Sequence, residues 1–444
     1  MIGLGTSQAT AVAANHFGLG GRANATIPAD PVAWLLAQLQ GSNTIPSAGL
    51  PTTAGALGLL YHRMTAGPGA ARDAFGNQVY DLFAAEVNAL LGNALVTLTP
   101  FRERLVWLWM NHLPVMVATI PTMATAGAYV REAIRPNVTG RYSDMLLAAV
   151  LHPAMLYSLS NDASIGPNSP SGLQILRQTG TTVTINENLG RETLELFTVG
   201  VDAGYVQADV DALACLFTGC NVNIWTPPLG FTYNANRAQP GTQTLMGNTY
   251  PNTLAGLQAA LLWLGTHPLT YRQLATKLVT HFTGDLPTAQ DIQVVTSALI
   301  NSGGNLGAAA AAVVRLPNAW VPLTKLRTPV DYVIAALRGL GATPDAFPNI
   351  DQILFAMGQP LWSPPFPNGW SDLAADWISP EGTLMRGDWA NTIPTSLPGA
   401  TSGGLVAAGI GSLLSTATIQ MVNAATSTHD QITLLLTSPE FQRR

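Results

Sequence analysis

A large, mainly α-helical single domain spanning 1–444, with one small β-hairpin insertion near 221–248, is the fold class the sequence predicts. Three observations carry it. Apolar residues recur at a spacing near 3.6 through most of the chain. Helix starts are marked by Asp30 before Pro31 and by the His-Pro pairs at 152–153 and 267–268. Strand-like segments, FTYN and TLMG among Gly, Pro and Asn, are confined to 221–248.

In chain order, helices are expected at 31–40, 72–95, 101–113 (stopped by Pro114), 122–135 and 140–151, and a short one opens at His152 and Pro153. Residues 158–183, rich in Ser, Asn, Gly, Pro and Thr, read as a long polar loop. Such a length is uncommon inside a domain and often functional. A helix resumes at 186–199, where Thr184 and Glu187 have capping-box spacing, and another covers 209–217. Beyond the hairpin come helices at 253–265, 268–283, 288–301, 306–315 and 328–341. The Pro- and Trp-rich 358–370 reads as a loop on the bundle surface, and helices at 372–378, 381–392, 405–424 and 428–444 close the chain. There is no 20–50-residue repeat, which argues against a solenoid.

Composition narrows the function. Only 10% of the 444 residues carry charge, against roughly 25% in an ordinary soluble domain, and the net charge is −5. Without a basic excess to neutralise phosphates, no nucleic-acid partner is expected. Two cysteines rule out a disulfide scaffold. Cys215 and Cys220 read either as two small buried hydrophobes or as a bridge closing a very small loop. Residues 1–21 hold no Lys or Arg and no continuous apolar run, so no signal peptide is legible. The uncharged stretches 105–130 and 389–428 are interrupted by Pro, or by Ser, Thr and Gly. A span needs about 20 apolar residues, so no transmembrane segment is expected. The low charge implies a surface of Thr, Ser, Asn, Gln and Gly, which suits an extracytoplasmic protein and resists self-assembly poorly.

The segments HPAMLYSLSNDASIGPNSP (152–170) and NENLGRETLELFTVGVDAGYVQADVDALACLFTG (186–219) are distinctive. So are NHFGLGGR at 15–22, ERLVWLWMNHL at 103–113, LGTHPLTYRQLATKLVTHFTGDLP at 264–287 and the final SPEFQRR. In these the chain resembles the bacterial family known as domain of unknown function 1800, over 11–444. The resemblance implies a mostly helical fold, export to the periplasm, cell envelope or medium, and a sulfatase-like partner protein. It implies no reaction. Where members commonly read Glu-Leu-His-Thr-Leu-Gly, this chain places Phe197 at the His. Where they carry a His-Glu-Pro-Gly turn, it has Ala238, Gln239, Pro240 and Gly241. Cys220 replaces the Trp that follows Thr-Gly. If those histidines act in a metal or acid–base role, their loss alters the activity here.

The densest polar cluster is Asn186, Glu187, Asn188, Arg191, Glu192 and Glu195. Glu187, Arg191 and Glu195, at i, i+4 and i+8, share one helical stripe. One reading is structural: a salt-bridge ladder stabilising by about 0.2–0.5 kcal/mol per pair, or a polar network holding this helix against 158–183. The other is a catalytic site of Glu187, Arg191, Glu192 and Glu195 with His112 and His152, in which Glu192, Glu195, His112 and His152 hold a divalent metal as cofactor. His112 reads equally as a core histidine, and His267 and His281 as packing residues. There is no HExxH, GxSxG or GxxxxGK[ST] motif. Two functions follow: an exported metal- or carboxylate-assisted hydrolase of unknown substrate, or a non-catalytic structural or assembly protein of the cell envelope or extracellular space.

Overall fold

In a computed structural model, residues 4–41, 49–397 and 399–444 are described. Residues 1–3, 42–48 and 398 lie outside the described residues, and with them the start of the 1–21 stretch and one position of 389–428. The chain is 62% helical, and its named strands form two small two-stranded antiparallel sheets. The helices expected between 31 and 341 form, with ends moved by a few residues.

Local chemistry sets their starts. Asp30 Oδ1 accepts the backbone N–H of Ala33 at 2.9 Å, with Pro31 at the first helical position. His152 and His267 cap the next helices with their rings: Nδ1 accepts from Ala154 N at 3.1 Å and from Leu269 N at 3.2 Å. In both cases the following Pro has no N–H of its own to satisfy, so the ring serves the next donor. The longest helix, Ala70–Val96, buries Val79, Leu82, Val87, Leu90, Leu91 and Ala94 on one stripe. That stripe lies against the Thr53–Thr65 and Ile120–Tyr129 helices. Its Arg72–Val96 portion is long and apolar enough to cross a membrane, but half of the apolar window is buried in the molecule, as in a core helix. Gly127 lets the Glu86 carboxyl approach: a Cβ there would sit 2.2 Å from Glu86 Cδ. Glu86 in turn pairs with Arg131.

The apolar core is a cluster that draws on residues from Ala9 to Phe441. The two ends of the chain meet across it. Arg327 Nη2 donates to Asn15 Oδ1 at 2.8 Å, Arg444 Nη1 donates to His16 O at 3.1 Å, and Ser412 Oγ donates to Ser7 O at 3.0 Å.

Several expectations need correction. The 158–183 segment is not one loop: it contains a 3-10 turn, Asn161–Ala163, and a helix, Pro170–Thr179, capped by Ser169. Only Gly172 of that helix is buried; its apolar Leu173, Ile175 and Leu176 lie within the Ser-, Asn-, Gly- and Pro-rich stretch and stay partly exposed. The single hairpin is two ribbons. Cys220–Asn223 pairs with Gly230–Tyr233, and Thr242–Leu245 pairs with Asn248–Pro251. The second turns through Met246 and Gly247, both at positive φ, as a two-residue hairpin turn requires. The Thr184–Glu187 capping box does not form; the helix starts at Asn188, whose N–H bonds to Asn186 Oδ1 at 2.9 Å. The expected 372–378 helix is only the turn Ala374–Asp376, and 405–424 breaks near Gly409, at φ 115°. Helices at Thr6–Val12, Thr53–Thr65 and Ile350–Ala356 had no expectation. Both cysteines are free.

Candidate functional site

The 186–195 cluster is the ladder that its spacing describes. Arg191 reaches Glu187 at 2.8 Å and Glu195 at 3.3 Å. Gln207, from the Gln207–Phe217 helix, joins in: its Nε2 donates to Glu187 Oε2 at 3.0 Å and to Asp211 Oδ1 at 2.7 Å. Arg191 is 36% exposed and Glu187 is 44% exposed, so solvent screens the ladder. Glu192 is half-buried, and burial followed by the charge of Glu195 raises its carboxyl above the usual range. Asn186 ties the cluster to the 158–183 segment, its Nδ2 donating to Leu159 O at 3.2 Å and to Ser160 O at 3.0 Å.

His112 and His152 do not join these carboxylates. Because His152 Nδ1 accepts a backbone N–H, Nε2 carries the proton and faces Thr53 Oγ1 at 2.9 Å. Thr53 Oγ1 donates in turn to Glu132 Oε2 at 2.7 Å. The histidine therefore gives a hydrogen bond to the hydroxyl and cannot serve as its base. His112 is fully enclosed. Its Nε2 lies 3.0 Å from the Tyr142 hydroxyl, which donates to Phe197 O, so Nε2 is again the protonated nitrogen. Desolvation, then the field of Lys277, holds His112 well below the ordinary histidine pKa. Among the described residues, no three His, Cys, Asp or Glu side chains gather as a metal centre, so Glu192, Glu195, His112 and His152 do not form the donor set the sequence suggested.

What the structure does assemble is a cavity of about 440 Å³, in the size range of small-molecule sites. The Pro100–His112 helix supplies Arg104, Trp107, Leu108, Asn111 and His112, all on one helical face. The Pro268–Thr283 helix supplies Gln273, Thr276, Lys277, Thr280 and His281 at the same kind of spacing. Ile334 and Asp331 come from the Pro329–Gly339 helix, and the 359–372 segment closes the wall with Leu361, Trp362 and Trp370. That segment is therefore a wall of the cavity, where the sequence suggested a cover on the bundle surface. Asn111 pins it: Nδ2 donates to Trp370 O at 2.8 Å and Oδ1 accepts from Trp370 N at 2.7 Å. Gly369, at φ 78°, is required there, since a Cβ would lie 2.2 Å from Asn111 O.

The cavity floor is a knot of buried charge. Arg104 Nη1 bonds Asp331 Oδ1 at 2.9 Å, and Arg444 Nε lies 3.0 Å from Asp331 Oδ2 as an ionic contact. His281 Nδ1 meets Asp372 Oδ2 at 3.0 Å, while its Nε2 faces Arg104 Nη1 at 3.4 Å and Arg444 Nη2 at 3.3 Å. Nδ1 is thus the protonated nitrogen, and the ring is neutral. Burial, only partly opposed by Asp372, brings its pKa down to about 4. Burial alone would raise both carboxyls, but Arg104 and Arg444 hold Asp331 well below the carboxylate range. His281, Lys325 and Arg444 similarly hold Asp372 at about 2. Lys325 Nζ completes the knot at 2.6 Å from Asp285.

Lys277 is different. The sequence holds two lysines, Lys277 and Lys325. Lys325 is buried and ion-paired, whereas Lys277 lines the cavity with no hydrogen bond or ion pair among the described residues. Burial, opposed only by the more distant charge of Asp372, lowers its pKa to about 8. Other wall atoms lack partners too: His112 Nδ1, Gln273 Oε1, Trp107 Nε1 and Trp362 Nε1. Buried polar atoms are rarely left so, and several around one cavity mark a place for a ligand. Sequence reasoning missed Lys277, His281, Asp331 and Asp372. The signal was the polar stripe 273–276–277–280–281, which looks the same as a solvated helix face.

The two halves of the picture are joined. Gln273 Nε2 donates to Leu196 O at 3.0 Å, and Tyr142 caps Phe197 O. The carbonyls freed at the end of the Thr193–Phe197 π-turn thus anchor Gln273 of the cavity wall and Tyr142, which bonds His112 of that wall.

A mainly α-helical protein with a tryptophan-walled cavity over a buried charge knot is the class these features define. The chain belongs to the family described as protein of unknown function (DUF1800), whose model matches residues 2–443. No curated protein and no solved structure matches it. Phe197 and Ala238, where the family resemblance expected histidines, are both buried.

Proposed function

We propose that the protein binds a small organic ligand in this cavity, a flat apolar body carrying an acidic or carbonyl group, and that the 186–195 motif is scaffolding beside it. The observation that carries this reading is the unpaired Lys277 amine in a wall of Trp107, Leu108, Trp362 and Trp370. An apolar pocket with a few convergent polar groups is the usual form of a small-molecule site. Of the two roles read from the sequence, metal- or carboxylate-assisted hydrolysis would need carboxylates that are here dispersed in the ladder or engaged by arginines in the knot. The fully paired Arg191 favours the non-catalytic role for that motif. Export and a sulfatase-like partner remain parts of the proposal on the strength of the family resemblance.

The test is a calorimetric titration of 2-naphthoate into the protein, read in parallel by quenching of tryptophan fluorescence. Saturable one-to-one binding is expected, with the neutral 2-naphthylmethanol binding about tenfold or more weakly for lack of a charge-assisted bond. No saturable binding of either compound would overturn the reading.

A further inference from the structure

We infer that Lys277 is a covalent anchor that forms an imine with an aldehyde or ketone ligand held in the cavity; this rests on the binding reading above. The argument starts from the contrast between the two lysines. Lys325 is ion-paired, with Asp285 Oδ1 2.6 Å from its Nζ. Among the described residues Lys277 has no carboxylate against it, and burial lowers its pKa to about 8, so far more of it is free amine near neutral pH than of an ordinary lysine. A neutral amine in an apolar pocket is a nucleophile, and carbonyl carbon is its natural partner.

The surroundings fit the steps. The nitrogen lone pair forms the C–N bond as the carbonyl π pair moves to oxygen, which takes up a proton. The resulting carbinolamine loses that oxygen as water while nitrogen gives up its protons and closes the C=N bond. Amine plus carbonyl gives imine plus water, with no oxidant or reductant. The wall offers unpartnered groups of both kinds for this traffic. Trp107 and Trp362 Nε1 can donate to the carbonyl oxygen, and His112 Nδ1 and Gln273 Oε1 can accept from the nitrogen or the hydroxyl. His112 lies close enough for the Lys277 charge to act on it.

The experiment incubates the wild-type protein with 2-naphthaldehyde and cyanoborohydride, which supplies the hydride that fixes any imine. Peptide mass spectrometry then maps the label. With two lysines in the chain, the assignment is direct. The expected result is one naphthylmethyl group on Lys277, suppressed at least tenfold by excess 2-naphthoate and absent from Lys277→Arg. A naphthoate complex that forms normally while Lys277 stays unlabelled would overturn the imine and leave the binding reading standing. Failure of naphthoate to bind at all would overturn the binding reading itself. Because the wild type carries both arms, a variant that fails to fold does not weaken the result.

Discussion

The ladder at 187–195 and the knot at 104–331–372–444 use the same few residue types to opposite ends. In the ladder, Arg191 sits between carboxylates four residues away on either side, within reach of water. In the knot, Arg104, Arg444 and Lys325 come from distant parts of the sequence, and each is at most 4% exposed. The first is a local, screened arrangement that the helix would survive without. The second is a set of charges that cannot leave, because removing one partner strands another away from water. The knot is also the floor of the cavity, so the charges that hold the fold together are the ones that shape the site.

Breaking the knot has the largest expected effect. Asp331→Asn leaves Arg104 and Arg444 without their shared carboxylate and costs about 3–5 kcal/mol, measured by urea unfolding. A loss under about 1 kcal/mol would show the knot to be as loose as the ladder. Acid is the next probe. The folded-state pKa of His281 is lowered to about 4 and that of Asp372 to about 2. In each case the unfolded state takes up the proton first. Their contribution is therefore complete above about pH 6.5, falls as the pH drops from about 6.5 toward 4 through His281, and falls further toward about 2 through Asp372. Denaturant midpoints across pH 3–8 read this slope, and Asp372→Asn should flatten its lower part.

Lys277→Met separates stability from function. Removing an unpaired, half-buried lysine amine should leave stability unchanged or raise it by up to about 1 kcal/mol in thermal unfolding, while naphthoate binding weakens at least about tenfold. A clear destabilisation would mean that the lysine has a structural partner. The smallest effect belongs to the ladder. Glu187→Gln should cost about 0.3–0.5 kcal/mol at low salt and less at 1 M salt.

The contrast also explains what the sequence made legible. Helices with an apolar stripe, such as Ala70–Val96, and helices opened by Asp-Pro or His-Pro were readable because their signals are local. Pro170–Thr179 was not, because its short apolar group, Leu173, Ile175 and Leu176, sits inside a stretch dominated by Ser, Asn, Gly, Pro and Thr. The ladder was readable because i, i+4 spacing places its members by itself. The knot was not: Arg104 and Asp331 are 227 residues apart, and Arg444 and His281 are 163 apart. The low charge content pointed to an uncharged surface. Less visible was that, among the described residues, eight of the twenty Lys and Arg side chains would be buried. Lys277 escaped attention for a related reason. What marks it is the absence of a partner in three dimensions, and sequence spacing does not record that.

The most direct test of the central claim, that the cavity and not the 186–195 motif is the working site, is 2-naphthoate titration of Lys277→Met beside Glu192→Gln. The account predicts that Glu192→Gln binds as the wild type does and that Lys277→Met loses at least about tenfold in affinity, with both variants folded by circular dichroism. Binding lost in Glu192→Gln and kept in Lys277→Met would contradict it and return the site to the carboxylates of the 186–195 helix.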